Sequence, residues 1–286
     1  MEASACYPGS AGEIVQGNVQ GIDVLTSCPI NLYTKVKVFE NSNINNYYRN
    51  SKTYKFMFNI LKRWGYESFG STLKIYINSY IPIGKGFASS TADLCALYNA
   101  LTKLFRRNFD EKELMDECLK IEPTDSIIFD KMTLFDYKNG AFNKTIGEYL
   151  EFHLLIFEGK TRINTVEFNR RKLPEHKDIS DLIPHLIDGV RSKNLRKLAW
   201  CATESIIRNQ HRLKYDFLED ILSIMDKVEG IGILGAHSGN FLGIILEDVE
   251  KFNYYKYKNY SCLKNYSTYL LRTIKGIDDF RYRTLF

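Results

Sequence analysis

Three short stretches of this 286-residue chain hold residue types at spacings that could do chemistry. The first runs Ile81-Pro82-Ile83-Gly84-Lys85-Gly86-Phe87-Ala88-Ser89-Ser90-Thr91-Ala92, small residues between an alternating apolar stretch and a helical one. Glycines let a backbone approach a phosphate closely, and a helix start presents unpaired N–H groups and the positive end of its dipole. Lys85 can add a full charge, and Ser89 or Ser90 a hydroxyl for a magnesium ion, so the stretch reads as an anion cradle. The plain alternative is a strand–turn–helix joint with serine caps. The second stretch is Glu122-Pro123-Thr124-Asp125-Ser126, two carboxylates across a proline that fixes the local turn. One could hold a metal while the other accepts a proton or orients a hydroxyl. The same residues also suit a frayed helix end at Glu122 and a helix cap at Asp125. The third is Tyr7-Pro8-Gly9-Ser10-Ala11-Gly12-Glu13, ending in Gln16-Gly17. By composition it is a tight turn around one carboxylate.

Other motifs are excluded. The one GK[ST] triplet, Gly159-Lys160-Thr161, has Leu154 where a Walker loop requires glycine. A G-x-G-x-x-G string at Gly230, Gly232 and Gly235 follows a helix-like stretch with too little chain behind it for a dinucleotide-binding unit. No D-F-G or H-R-D occurs, which rules out a protein kinase.

The elements that must position these stretches are legible from periodicity. Leu32, Thr34, Val36 and Val38 alternate with Tyr33, Lys35, Lys37 and Phe39, and Leu73, Ile75 and Ile77 alternate with polar neighbours, which predicts two strands. Leu94, Leu97, Tyr98, Leu101, Leu104 and Phe105 fall at helical spacing, with the helix expected to start near Thr91. Asp110 with Glu113 predicts a capping box for a helix reaching about Ile121, before Pro123. Phe152 to Phe157 is a buried-strand run, roughly 179–209 and 216–228 are helical, and strand-like runs flank the small residues of Gly230–Leu246. The element order places a domain boundary near Gly147, giving units 1–147 and 148–286.

Composition bounds the rest. With 44% hydrophobic and 26% charged residues the chain is globular. No apolar run reaches membrane-spanning length and the start is acidic, so a soluble cytoplasmic protein is expected. The six cysteines form no C-x-x-C pair, and most are expected to be buried apolar groups. A net charge of +5, from 39 basic and 34 acidic residues, favours anionic ligands but is too dispersed for a nucleic-acid footprint.

Together the three stretches resemble the GHMP kinases, the family of galactokinase and of homoserine, mevalonate and phosphomevalonate kinases. Pro82-x-x-x-Gly86-Phe87-Ala88-Ser89-Ser90-Thr91-Ala92 is similar to that family's P-x-x-x-G-L-G-S-S-A-A loop. Gly235-Ala236-His237-Ser238-Gly239 with Gly243 is similar to its C-terminal glycine-rich motif, and Pro8–Glu13 stands in the place of its N-terminal motif. Within the family, P-x-S-x-G-E-x-x-Q-G, K-G-x-A-S-S-T-A-D and E-P-T-D-S are similar to the branch that phosphorylates L-threonine for cobalamin synthesis. Phe87-Ala88 replaces the commoner Leu-Gly, and Gly9 and Ala11 stand where that branch would have Ala and Cys.

The resemblance implies an α+β fold, with a ribosomal-protein-S5-like N-terminal domain and a ferredoxin-like C-terminal domain. It implies ATP along Pro82, Gly84, Lys85, Gly86, Phe87, Ala88, Ser89, Ser90, Thr91 and Ala92, and Mg2+ on Ser90 (or Ser89) and Glu122. Asp125, with Glu13 and Lys85, would form the catalytic group. Ser10, Glu13, His237, Ser238 and Gly239 would face a small hydroxyl amino acid, its ammonium near Glu13. His237 is as well suited to a structural donor. Homoserine is the alternative acceptor, and an S5-like RNA-binding protein the alternative outside enzymes. Neither nucleic acid nor membrane is expected as a partner.

Overall fold

The first forty residues make one long hairpin. β1 (Glu2–Val19) and β2 (Ile22–Glu40) pair antiparallel around Gln20-Gly21. Both turn residues have positive φ, 52° and 86°, as in the two-residue turns whose twist matches that of the strands. The alternation in β2 holds, with Thr34, Val36 and Val38 buried. The stretch Tyr7–Glu13, expected as a tight turn, lies instead inside β1, where pairing with β2 slips between Pro8 and Ser10, Ser10 and Glu13, and Glu13 and Val15. Such bulges bend a strand and re-aim its side chains. Glycine and proline mark turns and bulges alike, so composition could not separate the two.

This computed structural model describes residues 1–41, 51–160, 173–237, 239–249 and 266–277. α1 (Lys52–Trp64) is capped by Ser51 and closed by Gly65 at φ 77°. β3 (Leu73–Ser79) pairs with the outer half of β2. α2 (Ser89–Leu104) follows Ala88, whose φ of 51° turns the chain sharply into the helix, two residues before the expected start. It packs across β1 and β2, burying Leu94, Leu97, Tyr98 and Leu101. α3 (Glu111–Leu119) begins on Asp110, whose side chain accepts from Glu113 N at 2.9 Å. The Glu113 carboxylate, expected to complete a capping box, instead accepts from Trp64 Nε1 and Tyr98 Oη, each at 2.8 Å. Tertiary donors have displaced the local one.

β4 (Met132–Phe135), β5 (Asn143–Gly147) and β6 (His153–Gly159) follow. The helical stretch 179–209 is two helices, α4 (Leu182–Arg191) and α5 (Leu195–Asn209), because Lys193 turns the chain at φ 55° and Asn194 caps the second. After α6 (Leu218–Lys227) come β7 (Gly232–Gly235), β8 (Phe241–Leu246) and β9 (Tyr266–Arg272). All described strands join one antiparallel sheet in the order β5-β4-β2-β1-β7-β8-β6-β9, with β3 on the outer part of β2. The fold is thus mixed helix and sheet. Its seam is the β1–β7 contact, where Glu13 stands opposite Gly235. The main core contains residues from Ala5 to Ile277, with a smaller cluster where α6 covers β6 and β8. Five cysteines are buried free thiols, as expected, and Cys262 lies outside the described residues. No described helix is long and apolar enough to cross a membrane.

Candidate active site

The N-terminal stretch, the Ile81–Ala92 stretch and the C-terminal glycine-rich motif at Gly235 and Ala236 meet at the seam, and absent side chains let them meet. A Cβ on Gly12 would lie 2.5 Å from the Gly235 carbonyl oxygen, and one on Gly86 would lie 2.0 Å from the Ala236 Cβ. Both glycines have positive φ, 67° and 96°, so a side chain is excluded twice over. Backbone bonds close the clasp: Ser10 N donates to Phe87 O, and Asn240 N to Lys85 O, each at 3.1 Å. Phe87, where the family has leucine, stacks on Phe241 with ring centroids 4.2 Å apart.

Above this clasp opens a cleft of ≈ 890 Å³ with its open mouth included. Gly84, Gly86, Phe87, Ala88, Ser89, Ser90 and Thr91 line one wall. The N-terminal N–H groups of α2 have no partner within their own helix, which leaves them for an anion. Of the two serines, Ser90 meets Glu122: its Oγ donates to Glu122 Oε1, while the Lys52 ammonium pairs with Oε2. A hydroxyl and a carboxylate side by side are hard oxygen donors of the kind Mg2+ takes, together with phosphate oxygens and water. The Lys52 ammonium shares that carboxylate, and the hydroxyl–carboxylate pair is of the oxygen-donor type that the expected metal takes.

Asp125 lies farther in. Its backbone N donates to Thr91 Oγ1 at 3.3 Å, tying it to the start of α2. Its Oδ1 accepts from Ile127 N at 3.0 Å, and its Oδ2 from Ser10 Oγ and Ser27 Oγ, both at 3.1 Å. It therefore caps the short 3-10 turn Ser126–Ile128 and also faces the cleft, so the two expected roles coexist. Burial, and then the Glu13 charge, push its carboxyl up to about 7; the three hydrogen bonds pull the other way without prevailing. A carboxylate poised there can take a proton near neutral pH.

Glu13 is held in turn. Its Oε2 accepts from His237 N at 2.9 Å and lies 3.1 Å from His237 Nδ1, while His237 Nε2 is 3.0 Å from Ser205 Oγ. The imidazole is thus committed at both nitrogens and buried, which makes His237 a support for Glu13 although it borders the cleft.

Several expected positions differ. Lys85 turns away from the cradle: its buried ammonium donates to the Gly159 carbonyl and pairs with Glu158 at 3.2 Å. A lysine between two glycines of positive φ can point to either side of a loop, and a half-buried carboxylate at the end of β6 decided it. Ser10 is fully buried and spends its hydroxyl on Asp125 rather than on a substrate. Gly239 packs against the Lys85 carbonyl behind the cleft, and a Cβ there would lie 2.2 Å from that oxygen. Ala92 is buried within α2, and neither it nor Pro82 lines the cleft. Ser238 lies outside the described residues.

Other lining groups had no sequence signal. Leu25, Tyr137, His176 and Arg212 are isolated in sequence and arrive from β2, the β4–β5 turn and the segments flanking α4 and α5, whereas Gln16 ends the N-terminal stretch. Among the described residues the Arg212 guanidinium meets the Pro174 carbonyl and no carboxylate. The acceptor end therefore has a negative side at Glu13 and a positive one at Arg212.

This fold and this meeting of three glycine-rich motifs are those of a small-molecule kinase class. A profile of the GHMP kinases N terminal domain matches residues 51–130. The chain belongs to the GHMP kinase family. It is 30% identical to an L-threonine kinase of Citrobacter freundii over 255 residues, 86% of this chain and 87% of that one. It is 31% identical to an L-threonine kinase of Salmonella typhimurium over 251 residues, 86% of this chain and 83% of that one. Among solved structures, homoserine kinase from Cytophaga hutchinsonii shares the fold with a TM-score of 0.73 at 12% identity, covering 96% of this chain and 95% of that one.

Proposed function

We propose that this GHMP kinase transfers the γ-phosphoryl group of ATP to the hydroxyl of L-threonine, giving O-phospho-L-threonine and ADP. The observation that carries the reading is the likeness to two L-threonine kinases across 86% of the chain. The cleft supports it. Residues Gly84 to Thr91, Lys85 excepted, would cradle the triphosphate at the start of α2, and Ser90 with Glu122 would hold Mg2+. The metal supplies charge neutralisation between the β- and γ-phosphates. Asp125 would orient the acceptor hydroxyl and take its proton as the oxygen bonds to phosphorus. Glu13 and Arg212, of opposite charge, suit the ammonium and carboxylate of a free amino acid, neither of which can be buried unpaired without large cost. Phosphoryl transfer is mostly positioning and electrostatics, so these groups suffice.

The division into an S5-like unit, 1–147, and a ferredoxin-like unit, 148–286, belongs to the same proposal, as does a place in making the aminopropanol arm of cobalamin. The test is ADP release with L-threonine, L-serine, L-homoserine, mevalonate and galactose side by side. L-threonine should be preferred over L-serine by about 10- to 200-fold, what a snug pocket extracts from one methyl group. Homoserine turned over as efficiently as threonine would overturn the threonine assignment and leave the kinase standing.

A further inference from the structure

Beyond the acceptor end of the cleft opens a second, larger cavity of ≈ 2140 Å³ including its mouth, whose lining contains Asp23, Asp136 and Lys138. Pro123, Tyr137, His176 and Arg212 line both it and the cleft, so these side chains form a partition one residue thick. At its centre Tyr137 Oη lies 3.0 Å from His176 Nε2, and the two rings meet edge to face at 89° with centroids 6.4 Å apart.

The partition is fixed on both sides. Tyr137 O accepts from Thr124 N at 2.9 Å, which ties that ring to the loop carrying Asp125. His176 sits on a strap whose carbonyls are gripped in succession. Pro174 O accepts from Arg212, Glu175 O lies 2.8 Å from His211 Nε2, Lys177 O accepts from Asn18 N at 2.9 Å, and Asp178 O from Arg208 at 3.1 Å. Burial and then the Arg212 charge hold the imidazole neutral, down to about 3, against the opposing pull of Asp23; His237 and Lys138 act in the same direction as Arg212. Burial and Asp23 likewise keep the Tyr137 phenol protonated. A hydrogen bond between a neutral imidazole and a neutral phenol is a contact that does not open on titration across the working range.

We propose that the Tyr137–His176 pair is the end wall of the acceptor pocket and sets the length of amino acid that can be phosphorylated. The inference rests on the reading of the cleft as a hydroxyl amino-acid site. With the acceptor hydroxyl held at Asp125, each added methylene drives the charged head of the substrate toward this wall. Arg212 borders both cavities, so a longer acceptor could keep a carboxylate partner if the wall were removed, the head group then moving into the second cavity. Acceptor length is thereby decided by two side chains outside all three family-like motifs.

The experiment compares kcat/KM for L-threonine, L-homoserine and 5-hydroxy-L-norvaline in the wild type, His176→Ala and Tyr137→Phe. His176→Ala should shift the ratio of homoserine to threonine at least about 10-fold toward homoserine, the lower end of what one methylene is worth in a tight pocket. The shift should come through KM for the longer acceptors, with KM for ATP unchanged. Tyr137→Phe keeps the ring and loses the hydrogen bond, and should shift the ratio less, in the same direction. An equal fall for every acceptor would mean a merely structural role and would overturn the proposal, as would an unchanged ratio. Should His176→Ala fail to fold, the ratio in Tyr137→Phe decides by the same criterion. A wild type that prefers another acceptor refutes the threonine assignment alone, because the wall is read from how the variants change the preferred length.

Discussion

Asp125 offers the sharpest test of the chemistry. Its carboxyl is raised from 3.8 to about 7, first by burial and then by Glu13. An acid at 7 is about one-tenth ionised at pH 6 and about nine-tenths at pH 8, so a step that needs the carboxylate should rise about tenfold between them. At an ordinary aspartate value the same step would be flat over that range. The assay is kcat/KM for the acceptor from pH 5.5 to 8.5, by ADP release at saturating ATP and magnesium. Glu13→Gln removes the second cause and leaves the first, so the inflection should move to lower pH without reaching 3.8. Stability carries the same signature with a definite sign. Between about pH 4 and 7 the folded protein keeps a proton that the unfolded chain has lost, so native stability falls as pH rises through that window. The loss is at most about 4 kcal/mol, and Asp125→Asn should abolish it along with turnover. A flat pH profile in the wild type, or an Asn variant with normal turnover, would refute the reasoning and leave Asp125 as a cap on its 3-10 turn.

Two further outcomes follow from the cleft. Ser90→Ala or Glu122→Gln should each lower turnover about 10²- to 10³-fold while leaving the fold intact, since each removes an oxygen donor beside the phosphates; near-normal turnover of both at limiting magnesium would sink that assignment. Gly86→Ala puts a Cβ against Ala236 at a backbone φ of 96°, and should cost more than about 1 kcal/mol and lower the melting temperature by several degrees; an unchanged melting curve would show that the first cradle and the C-terminal motif do not clasp as described.

What the residues determine locally was legible in the chain itself. The alternation of Leu32–Phe39 and Leu73–Asn78, the helical spacing from Leu94 and the stop at Pro123 fix element type through periods of 2 and 3.6, and these match β2, β3, α2 and the end of α3. α1 was overlooked although its signal was present: Ser51 ahead of it, Gly65 behind, and Tyr54, Met57, Ile60, Leu61 and Trp64 at helical spacing between. The small-residue stretches around Ser90, Asp125 and Glu13 were recognisable in combination, since each alone also suits an ordinary joint, cap or turn. Direction and partnership were not legible. Lys85 looked like a phosphate ligand by type and position, and the half-buried Glu158 and the Gly159 carbonyl at the end of β6 turned it the other way. Ser10 looked free for substrate, and the bulges in β1 aim it at Asp125 instead. Lys52 on Glu122, and Tyr137, His176 and Arg212 on the cleft wall, carry no local pattern, because they come from segments far apart in sequence. The raised pKa of Asp125 belongs wholly to the tertiary level, since it comes from burial and from a carboxylate more than a hundred residues away. Periodicity and composition act through neighbours along the chain, whereas desolvation, charge and side-chain direction depend on whatever the fold brings within a few ångströms.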